Sequence, residues 1–437
     1  MIKEITAIAY GFLRRALRSL VRGLSLFLVC LGIAGTMALI SGCSDPQRPQ
    51  STGDLATLAA SAKGFRQASA ATGLEFPRDH QAHNDYRIEW WYLTANLDDE
   101  SGQPYGAQWT LFRIAQRPEG EDSNDTNPWQ SPQVYMAHFA ISTVTEHHAF
   151  QRYARGGSHG GQARAGVALE PFRAWIDDWF LRSATLQEID ATVEESQTPV
   201  PRADTNTKRV ASKSTPPTQA WLPLEVYARQ DNYSLSLALS SDQPMVLQGD
   251  AGFSRKHPNG GGSHYYSHPF LAAEGELLID GKKVRVSGQA WLDREWSSQF
   301  LQADQSGWDW FALHLDSGEK LMLFRLHEAD SETANYRHGV LISPQGEKRD
   351  LDPSAIRFEV VERTSIQGRD LPTRWRIALA ELDRELLVTA LHPQQWLDVD
   401  FPYWEGAVTA TGGSPGESGR GYLEMVGYPA GAENTPH

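Results

Sequence analysis

Apolar and polar residues alternate one for one along much of this 437-residue chain, and that period constrains the fold more than any other feature. Ser234-Leu235-Ser236-Leu237-Ala238-Leu239, Lys283-Val284-Arg285-Val286-Ser287 and Arg374-Trp375-Arg376-Ile377-Ala378-Leu379 each send every second side chain to one face, as half-buried strands do. Asp280-Gly281 and Asp316-Ser317-Gly318 are hairpin signals between such runs. Helical periodicity is scarce outside the first forty residues. The expectation is an all-β protein, with the polar stretches 117–130 and 197–219 as long loops.

The alternating body also repeats. Trp91-Tyr92, Leu97-Asp98 and Leu111-Phe112-Arg113 match Trp310-Phe311, Leu315-Asp316 and Leu323-Phe324-Arg325. Gly288-Gln289-Ala290-Trp291-Leu292-Asp293 matches Gly419-Arg420-Gly421-Tyr422-Leu423-Glu424, and Glu274-Gly275 and Glu405-Gly406 precede them at similar distances. Two copies are too few for a solenoid or propeller. Two antiparallel barrels in tandem, each able to enclose a cavity, fit best, with a boundary near Ser298.

The start of the chain reads as an address. Arg14, Arg15, Arg18 and Arg22 precede an apolar stretch from Leu24 to Ile40, followed by Ser41, Gly42 and Cys43. That order is a secretory signal, and Ile40-Ser41-Gly42-Cys43 resembles a bacterial lipobox whose cysteine is acylated and becomes the first mature residue. A retained membrane anchor has the right length but gives Cys43 no purpose. Ser44 after the cysteine resembles lipoproteins sorted to an outer membrane, so the body is expected in the cell envelope, facing the periplasm. Cys30 leaves with the leader and Cys43 carries lipid, so the mature chain has no disulfide, thiolate metal site or cysteine nucleophile. The expected divisions are 1–42 leader, 43–75 polar tether, 76–298 first barrel and 299–437 second barrel. A net charge of -14 argues against nucleic acid as a partner. Fourteen tryptophans point instead to aromatic-lined cavities.

Asp79-His80-Gln81-Ala82-His83, Glu89-Trp90-Trp91-Tyr92, Ala137-His138-Phe139-Ala140, Trp291 to Ser298, Gly307-Trp308-Asp309-Trp310-Phe311 and Tyr403-Trp404-Glu405-Gly406 recur in order from about Phe76 to Tyr428. This pattern resembles the AttH/CrtC-type lipocalin-like family. The resemblance implies two lipocalin-like barrels and a membership that includes carotenoid 1,2-hydratases, fungal pericyclase-type enzymes and predicted secreted hydrolases. It also implies a site. In the hydratases an aspartate, a histidine and two aromatics are proposed to act together, and His264, Tyr266, Trp291 and Asp293 occupy the matching positions, the two aromatic types being exchanged.

Chemistry for such a set follows. Asp293, kept protonated by an apolar cavity, would protonate an alkene. Tyr266 and Trp291 would hold the carbocation over their faces, and His264 would deprotonate the water that adds to it. Trp90, Tyr92, Trp308 and Trp310 are further candidates to line the cavity, although core packing suits the same residues. Glu424, at the repeat position of Asp293, equally suits a structural carboxylate used once per copy. His138 and His338, in similar strands of the two copies, read as core or interface histidines. Gly156-Gly157-Ser158-His159-Gly160 and Gly412-Gly413-Ser414-Pro415-Gly416 fit G-x-S-x-G but lack the strand–turn–helix setting of a nucleophile. His80-x-x-His83 and His147-His148 lack the carboxylate partners of a metal site. The sequence therefore points to a lipid-anchored protein needing no metal or other cofactor, whose partner is an apolar small molecule. It leans towards a hydro-lyase, with a non-catalytic carrier or a secreted hydrolase as the alternatives.

Overall fold

The computed structural model describes residues 62–118, 131–156, 158–159, 162–184, 221–328, 334–414 and 416–431, all within one compact unit, Asp54–His437. The expected leader, Cys43, the expected tether up to residue 61 and the expected loop 197–219 lie outside the described residues. So do Gly157, Gly160 and Pro415 of the two G-x-S-x-G matches. No helix among the described residues is long and apolar enough to cross a membrane.

The first half supplies β1 (Ile88–Asp99), β2 (Pro104–Ala115), β3 (Gln133–Ser142), β4 (His147–Arg155), the short pair β5 (Ser158–His159) and β6 (Gln162–Ala163), β7 (Ala165–Leu169), β8 (Phe172–Ile176) and β9 (Trp179–Ser183). It continues with β10 (Leu224–Gln230), β11 (Tyr233–Ser240), β12 (Val246–Leu247), β13 (Phe253–Arg255), β14 (Gly262–Ile279) and β15 (Lys282–Ser297). The second half supplies β16 (Gln305–Leu315), β17 (Lys320–Glu328), β18 (Ala334–Ile342), β19 (Lys348–Asp350), β20 (Ile356–Ile366), β21 (Arg369–Leu379), β22 (Arg384–Ala390), β23 (Trp396–Leu397), β24 (Tyr403–Gly412) and β25 (Gly419–Val426). Helical structure among the described residues is limited to single 3-10 turns such as Arg78–His80.

Each half forms one large antiparallel sheet, with β5 and β6 pairing apart. The first runs β4-β3-β2-β1-β15-β14-β11-β10-β9-β8-β7 and the second β19-β18-β17-β16-β25-β24-β22-β21-β20. One of the two curls nearly closed and the other makes a half-barrel. The protein is thus all-β, with two lipocalin-like barrel sheets in tandem. Asp280 and Gly281, both at positive φ, form the two-residue turn between β14 and β15, as a hairpin with right-handed twist requires.

Side-chain alternation then sorts three cores. Trp91, Leu93, Ala95 and Leu97 of β1 point into the first barrel, and Phe311, Leu313 and Leu315 of β16 point into the second. The opposite faces of these strands are buried too. Tyr92, Tyr265, Trp291, Trp310, Phe324 and Tyr422 pack together in a third cluster where the outer faces of the two sheets meet. Gly106 shows how close that approach is, because a Cβ there would lie 2.7 Å from the Tyr422 hydroxyl. Asn96 Nδ2 donates to the Gly421 carbonyl (2.9 Å) and Lys320 Nζ to Gln289 Oε1 (2.8 Å) across the same junction.

The registers define the repeat. Tyr92 pairs with Asp293 as Trp310 pairs with Glu424, and Leu97 pairs with Gly288 as Leu315 pairs with Gly419. The match of Gly288–Asp293 to Gly419–Glu424 is therefore in register. The match of Trp91-Tyr92 to Trp310-Phe311 slips by one residue, because Tyr92 and not Trp91 is the counterpart of Trp310. A slip of one moves a side chain to the other face of the sheet. Glu274-Gly275 likewise has no counterpart in Glu405-Gly406: Glu405 lies opposite Glu424, the place that Ser267 takes opposite Asp293.

One end of the first barrel is held by buried charge. Glu89 is fully buried, accepting from Arg113 Nε, from Arg294 NH2 (2.5 Å), and from the His83 backbone N–H (2.9 Å). Arg113 also donates to the carbonyls of His83 and Tyr86, and Arg294 to that of Gln81. These bonds tie the segment before β1 across the barrel, and the Arg294 guanidinium lies 3.6 Å from the Trp91 ring centre. Residues 62–75, expected as spacer, dock on the same barrel: Arg66 N–H bonds to Asp85, and Ala68 and Leu74 pack against the core. Glu89→Gln leaves two buried guanidiniums facing a neutral amide, and is expected to lower the unfolding free energy in urea by about 3–5 kcal/mol. An unchanged midpoint would show that water, not Glu89, carries those charges.

Candidate functional site

A cavity of about 180 Å³ opens between the two sheets. Trp90 and Tyr92 of β1, Tyr265 of β14 and Asp293 and Glu295 of β15 line it from the first sheet. Trp308 and Trp310 of β16, Phe324 of β17 and Glu424 of β25 line it from the second, with half-buried Phe112 and Phe401 and exposed Tyr153 at its mouth. Its walls are largely aromatic. The counterparts under the repeat all line it: Trp90 and Trp308, which both pack on Phe300, Tyr92 and Trp310, whose rings meet edge to face at 5.4 Å, and Asp293 and Glu424.

Asp293 is held by three neutral donors. Ser267 Oγ (2.5 Å) and Trp291 Nε1 (2.7 Å) donate to its Oδ1, and the Tyr265 hydroxyl (2.8 Å) donates to its Oδ2. Trp310 Nε1 in turn donates to the Tyr265 oxygen (3.2 Å), so the second sheet braces the first-sheet acid. Burial pushes the Asp293 pKa up to about 7, against the pull of its three donors. Glu424 accepts from Trp308 Nε1 (2.5 Å), and burial also raises it to about 7, with the nearby Asp293 and Glu295 charges adding to the shift. Behind it, Glu405 accepts from Gln108 Nε2 (2.6 Å) and is pushed well above the carboxylate range by burial and by Glu424. The Tyr92 hydroxyl lies beside both glutamates without a well-formed hydrogen bond to either. Lys256, the cation lining the cavity, is 2.8 Å from Glu295 Oε1.

The structure brings together Trp90, Tyr92, Trp291, Asp293, Trp308 and Trp310; all but Trp291 line the cavity, and Trp291 lies against it through its bond to Asp293. It separates His264 and Tyr266 from that group. Both point into the first barrel, where His264 Nε2 meets the Tyr86 hydroxyl (3.2 Å) and the Tyr266 hydroxyl meets His80 Nδ1 (2.7 Å). Burial lowers the His264 pKa to about 4. The cause of the separation is a β-bulge between His268 and Leu271, where Pro269 and Phe270 together oppose Trp291. In an unbroken hairpin Asp293 would pair with His268 and share a face with His264 and Tyr266. The extra residue shifts the register by one and pairs Asp293 with Ser267 instead.

Tyr265, Lys256, Glu295 and the acidic role of Glu405 were not found from the sequence. Pro269 inside an otherwise regular strand was the signal for the bulge, and the bulge delivers Tyr265 to Asp293. Lys256 left no local signal, because it enters from the loop after β13. His138 is buried against Tyr403 (3.0 Å), and shares its register with His338 in the second sheet. His80 and His83 serve Tyr266 and Glu89, and among the described residues no three His, Cys, Asp or Glu side chains gather as metal ligands.

A family model described as AttH-like matches residues 67–428. The crystal structure of an AttH protein from Nitrosomonas europaea is 31% identical, with a TM-score of 0.66 over 83% of this chain and all of that one. Kievitone hydratase from Nectria haematococca shares the fold at 15% identity and a TM-score of 0.54, covering 83% of this chain and 95% of the hydratase. No curated protein matches the chain.

Asp293 and Glu424 bind their protons more tightly in the folded protein than in the unfolded chain, where they titrate near 3.8 and 4.5. That stabilisation is complete below the unfolded values and is lost as pH rises towards 7. The melting temperature is therefore expected to fall between about pH 4 and 7, and Asp293→Asn with Glu424→Gln to flatten most of that fall. An equally steep fall in the double variant would place the titration elsewhere.

Proposed function

Since the chain belongs to the AttH-like family, we propose that the cavity between its sheets takes the reacting end of an apolar, alkene-bearing molecule and adds water to it by acid catalysis. One observation carries the reading. Asp293 and Glu424 face one apolar cavity, both titrate near 7, and the nearby cation is already held by Glu295. Two carboxyls tuned to the working pH are what a paired acid and base require.

In this reading Asp293 gives its proton to the less substituted alkene carbon. The three donors on Asp293 stabilise the charge that develops on the carboxylate as the proton leaves. The carbocation lies against the faces of Trp90, Trp308 and Trp310, a contact of about 2 kcal/mol when desolvated. Water adds to the cation, and Glu424 accepts the proton that the new oxonium sheds. One alkene and one water become one alcohol, and exchange returns a proton to Asp293. Glu424 takes the part that the sequence suggested for His264, which lies on the other face of the sheet. With two coupled acids near the same pKa, the productive microstate is the one with the proton on Asp293.

The size of the cavity limits the ligand. An apolar cavity of about 150 Å³ holds benzene, so 180 Å³ accepts one ring or one branched alkene end. A long polyene would leave most of its length beyond the mouth at Tyr153 and Phe401. Carriage of the same apolar ligand without reaction is the second reading, favoured by the enclosed aromatic walls and the lipocalin-like fold.

Mass spectrometry of the bound or released small molecule separates the two. The hydratase reading expects wild type to release product heavier by one water, and Asp293→Asn or Glu424→Gln to retain the alkene with turnover reduced about 10²–10⁴-fold. Turnover should be bell-shaped in pH, with a maximum near neutrality. The same unmodified molecule in wild type and variants would establish the carrier.

We propose further that Cys43 is acylated and holds the protein on an outer membrane, its body in the periplasm. The lipobox-like Ile40-Ser41-Gly42-Cys43 supports this. Cys43→Ser is expected to move the protein from the membrane to the soluble fraction, and retention of the variant on membranes would overturn the assignment.

A further inference from the structure

Lys256 is a lysine with 3% of its surface exposed, at the wall of a largely aromatic cavity. Its position is rigid. Its backbone N–H bonds to the Gly261 carbonyl (3.1 Å), and Gln305 Nε2 donates to the Lys256 carbonyl (2.9 Å). The Nζ atom lies 4.3 Å from the Phe324 ring centre and 5.1 Å from those of Tyr265 and Phe300. An ammonium carries three donors. Glu295 Oε1 takes one at 2.8 Å and is itself bonded by Ser263, while the aromatic rings offer only their faces.

The other polar groups of the cavity are largely engaged with one another. Asp293 already receives three donors, and the N–H groups of Trp308 and Trp310 are engaged with Glu424 and Tyr265. Donor capacity remains open towards a ligand at the spare ammonium protons, at the Tyr92 hydroxyl and at whichever carboxyl holds a proton. An anionic ligand is disfavoured, because four carboxyls, Asp293, Glu295, Glu405 and Glu424, stand in or behind the wall against one lysine. A pure hydrocarbon would leave the spare donors without acceptors in a desolvated site.

We propose that Lys256 is the polar anchor of this cavity, and that the ligand is a compact apolar molecule bearing a neutral acceptor, a ketone or enone carbonyl, which the ammonium holds while Glu295 balances its charge. The inference rests on the reading of the cavity as the ligand site, and it fixes the orientation. The carbonyl sits at Lys256 and the alkene end reaches towards Asp293 and Glu424.

Isothermal titration calorimetry of the full chain at pH 7.5 tests it with three single-ring probes: ethylbenzene, acetophenone and benzoate. Acetophenone is expected to bind about tenfold tighter than either of the others, the effect of one charge-assisted hydrogen bond. A Lys256→Met/Glu295→Gln double variant removes the ion pair as a unit, so no charge is left buried alone. Within this variant the ratio of the acetophenone and ethylbenzene affinities is expected to fall from about tenfold to about one, with its circular dichroism unchanged. Ethylbenzene binding as tightly as acetophenone, benzoate binding tightest, or a preference that survives in the double variant would overturn the role of Lys256 and leave the cavity reading standing. Binding of none of the three would overturn both.

Discussion

The ion cluster of Glu89 with Arg113 and Arg294 is the constraint on which the rest depends. It joins β1, β2 and β15 to the segment 81–86, with every charged atom removed from water. Such a cluster tolerates no slippage, since a one-residue shift of β1 would place a carboxylate in the apolar junction and Trp90 in the barrel. By holding Glu89 and Trp91 inside, it commits Trp90 and Tyr92 to the cavity. Arg294 does the same for β15, because its neighbours Asp293 and Glu295 then face the junction. The residues that mark the family in sequence, from Asp79 to Tyr92 and from Trp291 to Ser298, are largely this plug and the strand positions it sets.

The cavity exists because the repeat is packed face to face. Each sheet carries one acid at the same register, Asp293 or Glu424, beside one large aromatic, Tyr92 or Trp310. Alone, either outer face would be wet and its acid ionised in the ordinary range. Joined, each face removes the other from water, and both acids move to about 7. The repeat is not exact where chemistry would gain from asymmetry. Ser267 opposite Asp293 supplies a donor, whereas Glu405 opposite Glu424 supplies a second acid. One carboxyl is thereby better able to bear charge than the other.

The features legible in the sequence are those fixed by short-range pattern. Alternation located the strands, Asp280-Gly281 located its hairpin, and parity placed Trp90 and Tyr92 on one face with Glu89 and Trp91 on the other. What failed was register carried across a break in the pattern. His264 and Tyr266 reach the wrong face by a single bulged position at Pro269-Phe270, and Trp91 was matched to Trp310 by residue type when hydrogen-bond register matches Tyr92. Lys256 reaches the site through contacts between distant segments, which no local period encodes.

Buried acids without cations are a costly way to hold two sheets together. An interface kept only for stability is as well served by apolar side chains of the same volume, because desolvating a carboxyl offsets what its partners contribute. This junction keeps Asp293 and Glu405 buried and Glu424 half-buried, and it pairs the lysine at the cavity, Lys256, with Glu295. Lys256 could have been a counter-ion for Asp293, and the acid would then have stayed ionised at every working pH. Its pairing with Glu295, on the same strand and face two residues away, is what leaves Asp293 free to hold a proton. The two ion clusters of the first sheet therefore have opposite effects on their neighbours: Glu89 with its arginines sets the geometry, and Lys256 with Glu295 withholds charge from the acid that the geometry presents.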